Sequence, residues 1–159
     1  MTRTYSILIV CLGNICRSPT AEGVLRARLA EAGLLPAVHL DSAATGDSHI
    51  GSAPDPRAID CALRHGVDIS GLRARRLVYD DFENFDLLLC ADRTILHETR
   101  IRKPRTAHVD VALMLDWAGI GNKDIPDPYY GGARDFDRAF KLIDAAAAGI
   151  VARLHEGRH

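Results

Sequence analysis

A chain of 159 residues, 47% hydrophobic and 26% charged, suits one domain spanning 1–159 that buries a core. A net charge of −1 argues against nucleic acid as a partner, because such binders carry a basic surplus or stripe; the Arg73, Arg75 and Arg76 cluster reads first as a solvated face. No run reaches the roughly 18 apolar residues of a membrane helix, and the apolar start lacks a signal-peptide cleavage pattern, so no membrane partner and a cytoplasmic setting are expected.

Tyr5–Cys11 (YSILIVC) is a β-branched apolar run, the pattern of a strand buried on both faces. It ends at the turn signal Gly13-Asn14. Ser18-Pro19-Thr20 then opens a helix, with Ser18 at the cap and Pro19 in the first helical position, running to about Glu31. Val38–Ser42 reads as a second strand, Gly46–Asp55 as a loop, and Pro56–His65 as a helix closed by Gly66. Phe85–Cys90 is a third strand, with a helix from about Asp92, and Thr106–Val109 is a short fourth strand. Ile120–Gly132 is a long loop and Phe136–Leu154 a closing helix. Alternating strands and helices predict an α/β fold with a doubly wound, mostly parallel sheet, whose ligands bind beyond the carboxyl ends of the strands.

Cys11, Cys16, Cys61 and Cys90 follow no disulfide-framework spacing, which fits a reducing compartment. No Cys-x-x-Cys pair or close Cys/His cluster suggests a metal, so none is expected. The chemistry concentrates in Cys11-Leu12-Gly13-Asn14-Ile15-Cys16-Arg17-Ser18, at a strand end. A cysteine there faces the unpaired amides of a helix N-terminus, a setting in which thiols act as thiolates. The same amides, wrapped by a short loop, make a concavity for a tetrahedral oxyanion. Gly13 and Asn14 tolerate the backbone angles of such a wrap. Arg17 adds a planar fork that grips two phosphate oxygens, and Ser18 can donate a hydrogen bond to the thiolate. The alternative, two core cysteines at a strand end, sits poorly with so polar a sequence.

Asp127, in Ile125-Pro126-Asp127-Pro128-Tyr129-Tyr130, is either an ordinary turn residue or a proton donor aimed by two prolines. Tyr129 and Tyr130 either line a slot for a flat ring or pack a long loop. Cys16 lies close enough to Cys11 in the chain for a reversible disulfide that would divert an oxidised thiolate from irreversible damage.

CLGNICRSP closely resembles the signature of the low-molecular-weight protein tyrosine phosphatases. The similarity continues through SAAT at Ser42–Thr45, PDPRA at Pro54–Ala58, HG at His65-Gly66, DFENFDLLLCAD at Asp81–Asp92 and DPYYGG at Asp127–Gly132. The resemblance implies a four-stranded parallel sheet flanked by helices on both faces, and hydrolysis of phosphotyrosyl groups in a protein or peptide without cofactor or metal. It implies Asp127 as the general acid, and a buried network of Asn14, Ser42 and His65 supporting the loop. Asp92 matches a family acid at the end of the third strand. Apolar Ile15 stands where phosphoarginine-directed relatives tend to have Thr. One departure concerns the pocket: Ser48, with His49 beside it, stands where a Trp or Tyr is often found. His49 is then either a ring partner or simply exposed.

Three rivals remain at this point. An arsenate reductase needs further cysteines, and none follows Cys90. A phospho-carrier needs no acid, and a dead binding module would be expected to lack Cys11, Arg17 or Asp127. The expected state is a monomer or a weak self-association.

Overall fold

The computed structural model describes residues 3–157. Four parallel strands, β1 (Tyr5–Cys11), β2 (Val38–Ala44), β3 (Leu87–Cys90) and β4 (Asp110–Leu113), lie in the order β2-β1-β3-β4. The connecting helices are α1 (Arg17–Glu31), α2 (Pro56–Arg64), α3 (Asp81–Asn84), α4 (Arg93–Arg102), α5 (Met114–Trp117) and α6 (Ala133–His155). The alternation of side chains along a strand divides the core in two. Ile7, Ile9, Leu87 and Leu89 pack with α1, α2, α5 and α6, whereas Leu8, Val10, Leu88 and Cys90 pack with Phe82 of α3 and Ile95 of α4. The doubly wound sheet with helices on both faces is thus the observed architecture.

From β1 the chain goes first to β2 on one side and then to β3 on the other, so the carboxyl ends of β1 and β3 flank the switch point where open α/β sheets bind ligands. Cys11 ends β1, and Asp92 caps the helix after β3, accepting from Ile95 N at 2.8 Å. Among the described residues no helix is long and apolar enough to cross a membrane.

Several boundaries differ from expectation: β3 starts at Leu87 rather than Phe85, and α6 starts one turn earlier, at Ala133. The fourth strand is Asp110–Leu113 rather than Thr106–Val109. After α4 the chain first turns at Pro104, where Ala107 N donates to its carbonyl, and pairing begins only when Asp110 N meets Asp86 O. The second strand runs two residues further, to Ala44. Helix α1 starts at Arg17, and Ser18 does not cap it, because the Ser18 hydroxyl faces Cys11 instead.

Helix α6 crosses α5 closely at Gly149, where a Cβ would run into the Ala118 carbonyl. Alanine is normally the better helix former by about 1 kcal/mol. Here the overlap is with backbone, so Gly149→Ala should lower stability by about 1–3 kcal/mol in urea unfolding.

Candidate active site

The site is built on a backbone turn. Asn14 has φ 57°, and it alone among the described non-glycine residues has a positive φ. That left-handed residue folds the loop back, so that Asn14 N points at Cys11 Sγ from 3.3 Å, and Ser18 Oγ lies 3.0 Å from the same sulfur. The N–H groups of Leu12, Gly13, Ile15 and Cys16 have no acceptor among the described residues. Free amides around a sulfur at the start of a 15-residue helix form an oxyanion cradle.

Side-chain hydrogen bonds hold this turn and also set its polarity. Arg75 N donates to Asn14 Oδ1 at 3.0 Å, which fixes the orientation of the amide. Asn14 Nδ2 then donates to Ser18 Oγ at 2.7 Å and to Ser42 Oγ at 3.0 Å. Ser42 passes its hydroxyl hydrogen to Glu22 Oε1 at 2.7 Å. With Ser18 accepting from Asn14, its own hydrogen is available to Cys11, the arrangement that favours a thiolate. Glu22 closes the chain while buried. Burial lifts its carboxyl above the usual range, opposed by the bonds from Ser42 and Arg26.

Arg17 is 4% exposed and its guanidinium is held from two sides. Nη1 donates to Asp92 Oδ2 at 2.6 Å and to Ile125 O at 2.8 Å, while Nη2 lies 3.7 Å from Asp127 Oδ2. Burial disfavours the cation, but Cys11, Asp92 and Asp127 outweigh it and raise its pKa. The Nη1 hydrogens are occupied, leaving those on Nε and Nη2 for a bound oxyanion. Ile125 also extends the end of β3, its N donating to Ala91 O at 2.9 Å, so it anchors the long loop two residues before Asp127.

Asp127 is more than one-third exposed and accepts from Tyr129 N at 3.1 Å, closing a tight turn. Arg57 pins the loop beyond it, donating to Tyr129 O at 2.9 Å and Gly131 O at 3.2 Å. Arg57 also pairs with Asp55, whose N donates to Ile15 O of the cysteine loop. Arg57 and Asp55 thus form a strut between the two loops.

Between the loops lies a cleft of about 170 Å³, lined in part by Leu12, Gly13, Ile15, Cys16 and Ser48, with Cys11 and Arg17 at its base. Its walls include His49 and Tyr129, their rings 5.9 Å apart, and Tyr130, which meets Tyr129 edge-on at 4.8 Å and is 94% exposed. His49 therefore stands at the cleft, its Cδ2 against Gly13. Burial, then Asp55, Asp127 and Cys11, push the Cys16 thiol up to about 12.

The structure brings together every expected site residue but one. His65 is exposed at the end of α2; its Nδ1 bonds Cys61 O at 2.9 Å and its ring stacks on Phe140 of α6 at 4.0 Å. It takes no part in the network, where Glu22 and Arg75 N provide the outer contacts. Glu22, Ile125, Asp55 and Arg57 carry no site role in the sequence reading, and Arg75, expected on a solvated face, is instead paired with Asp41 and Asp81 and gives its N–H to Asn14. Only the PDPRA motif hinted at Asp55 and Arg57. Among the described residues there is no group of three or more His, Cys, Asp or Glu side chains placed to hold a metal ion.

The chain matches the family model described as low molecular weight phosphotyrosine protein phosphatase over residues 6–159. The phosphatase of that name from Schizosaccharomyces pombe is 40% identical over 91% of this chain and 94% of its own. The Homo sapiens protein of the same name is 34% identical over 96% and 97%. A crystal structure of a protein tyrosine phosphatase from Entamoeba histolytica, with Hepes in the active site, superposes with a TM-score of 0.92 at 32% identity, covering 98% of this chain and all of that one.

The Asn14 turn has two separable costs. Asn14→Gly keeps the φ but loses the amide bonds, whereas Asn14→Ala loses the bonds and strains the backbone. Urea unfolding should show both variants destabilised by about 1–3 kcal/mol, with Ala the worse.

Proposed function

The chain belongs to the low molecular weight phosphotyrosine protein phosphatase family, and we propose that it hydrolyses phosphotyrosyl and small aryl phosphates through a cysteinyl-phosphate on Cys11. The observation that carries this reading is the convergence on Cys11 Sγ of Asn14 N and Ser18 Oγ, inside a ring of free amides beside Arg17. In the first step the Cys11 thiolate attacks phosphorus, forming an S–P bond as the bond to the phenolic oxygen breaks. The loop amides and Arg17 carry the charge on the equatorial oxygens. Asp127 gives its proton to the departing phenolate. In the second step Asp127 takes a proton from water as that water attacks phosphorus, and the thiolate leaves with inorganic phosphate released. Ser18 stabilises the sulfur each time it becomes anionic.

Asp127 suits the acid role through its position: exposed at the mouth, 3.7 Å from Arg17 and held by a loop anchored at Ile125 and Arg57. Asp92 supports Arg17 from behind, and Asn14 with Ser42 supports the loop. His49 and Tyr129 flank a ring-shaped slot, with Tyr130 as its outer lip, and apolar Ile15 favours an aromatic phosphate over a phosphoguanidine. Four free cysteines suit a reducing, cytoplasmic setting, and the substrate is a phosphotyrosine-containing protein or peptide met by a monomer or weakly associating chain.

Assays with 4-nitrophenyl phosphate and with phosphotyrosine, phosphoserine and phosphoarginine peptides test the reading. Cys11→Ser should abolish turnover. Asp127→Ala should lower kcat by about 10²–10⁴-fold for phenyl phosphate, and by less for the better leaving group nitrophenolate. A wild type without hydrolysis sinks the proposal, and full function in Asp127→Ala would point to a phospho-carrier.

Cys16 gives the site a second, redox reading. Peroxide converts the Cys11 thiolate to a sulfenic acid, and attack by Cys16 sulfur then forms a disulfide and releases water. Attack requires Cys16 as thiolate, and its pKa near 12 leaves little of it at neutral pH. Disulfide closure should therefore accelerate as pH rises from 7 towards 10, followed by recovery of activity with dithiothreitol. Cys16→Ser should recover less; equal recovery would reduce Cys16 to packing.

A further inference from the structure

Beside the catalytic cleft the sheet edge carries a second, unassigned surface. Cys11 pairs with Ala44 across β1 and β2, and Ala44 pairs on its other side with Arg76. Neighbouring strands lie ~4.8 Å apart, so the Arg76 backbone is about 10 Å from that of Cys11, the span of about three extended residues. Here Leu77, Val78, Tyr79 and Phe82, with Arg76 and Arg102, line a groove of about 450 Å³. Leu77 and Phe82 are its buried floor, whereas Tyr79 is 73% exposed and Val78 51%.

The rim of this groove is cationic. Arg76 has one carboxylate within reach, Asp47 at 3.9 Å, and both side chains are more than half exposed. Arg102 donates to Thr45 O at 2.9 Å and has no carboxylate partner among the described residues. Among the described residues its neighbours Arg100, Lys103 and Arg105 have none either, and the Arg100 side chain donates to Val111 O. Asp47 faces Arg76, Asp81 accepts from Val78 N and is engaged by Arg75, and Asp80 and Glu83 are exposed on the same segment; the charged residues that line the groove itself are Arg76 and Arg102. Both rim residues also connect to the cleft wall. Arg76 reaches Asp47, next to Ser48 and His49, and Arg102 holds Thr45, next to Gly46 of the lining.

Resting on the phosphatase reading above, we propose that this groove receives the stretch of substrate polypeptide about three residues from the phosphotyrosine and selects acidic residues there beside an apolar one. Phosphotyrosine fills the cleft, the chain crosses Ser48 and His49, and its carboxylates meet Arg76 and Arg102 while an apolar side chain lies against Tyr79 and Phe82. Arg76, which the sequence alone presents as a solvated cation, becomes a specificity residue.

The test compares kcat/KM for phosphotyrosyl peptides carrying Glu, Ala or Lys at the third residue on either side, with 4-nitrophenyl phosphate as the small-substrate control. Glu should exceed Lys by about five- to tenfold on one side at low salt, with the gap shrinking in about 0.5 M salt. Arg76→Ala should flatten the preference, Arg76→Glu should reverse it, and Tyr79→Ala should weaken binding of apolar-flanked peptides; none should change aryl phosphate turnover. A flat wild-type profile, or a preference that survives Arg76→Glu, overturns the groove while leaving the phosphatase reading intact. So does sedimentation showing a dimer that Tyr79→Ala abolishes, since the groove would then hold a second copy. Failure of the wild type on aryl phosphate overturns the phosphatase reading itself.

Discussion

The side-chain amide of Asn14 is the contact on which the remaining chemistry rests. Its carbonyl oxygen is claimed by a backbone N–H, that of Arg75, so the amide cannot rotate without breaking a bond to the main chain. Both Nδ2 hydrogens are then committed, one to Ser18 and one to Ser42. This leaves Ser18 with a hydrogen for Cys11 and Ser42 with a hydrogen for Glu22. A chain of neutral hydroxyls and one amide thereby acquires a direction, from the sulfur outward to a buried carboxylate. The same residue holds the left-handed turn that aims its own N–H at the sulfur. Backbone strain and side-chain bonds are thus balanced within one residue.

The second constraint is topological. At the switch point, β1 delivers the cysteine loop and β3 delivers Asp92 to the same crevice. Arg17 joins them, because its Nη1 binds Asp92 from the β3 side and Ile125 from the acid loop. The acid loop would otherwise be a long polar segment with few internal bonds. It is instead fixed at Ile125 before Asp127 and at Tyr129 and Gly131 after it, the latter through Arg57. A proton donor on a loop can serve a fixed nucleophile only if its distance is controlled from both ends.

How much of this could be read from the sequence follows from the range of each interaction. Cys11, Asn14, Arg17 and Ser18 lie within one turn of chain, so their meeting is dictated by a strand, a left-handed residue and a helix start. The central strands were legible for the same reason: their apolar runs are continuous and buried on both faces. The fourth strand lies beyond Thr106–Val109, which has strand composition, because pairing waits for the chain to round Pro104. Residue type alone does not place His65, because the face of α2 that meets α6 is not legible locally; it stacks on Phe140 and not in the network. Glu22 and Arg57 escaped because their partners lie 20 and more than 70 residues away. Nothing local distinguishes such residues from ordinary helix-surface charges.

The two loop cysteines show how finely position within one loop divides chemical roles. Cys11 lies within reach of a hydroxyl and an amide hydrogen, and it lines the cleft together with Arg17. Cys16 sits five residues later, buried, with Asp55 and Asp127 as its main charged neighbours, and is held as a thiol. In the proposed mechanism Asp127 protonates the departing phenolate, and its charge also disfavours ionisation of Cys16. Arg57 opposes that suppression, but it is largely engaged by Asp55. In the proposed redox step a protonated Cys16 attacks the Cys11 sulfenic acid slowly at neutral pH, so closure of the disulfide quickens only as rising pH frees the second thiolate.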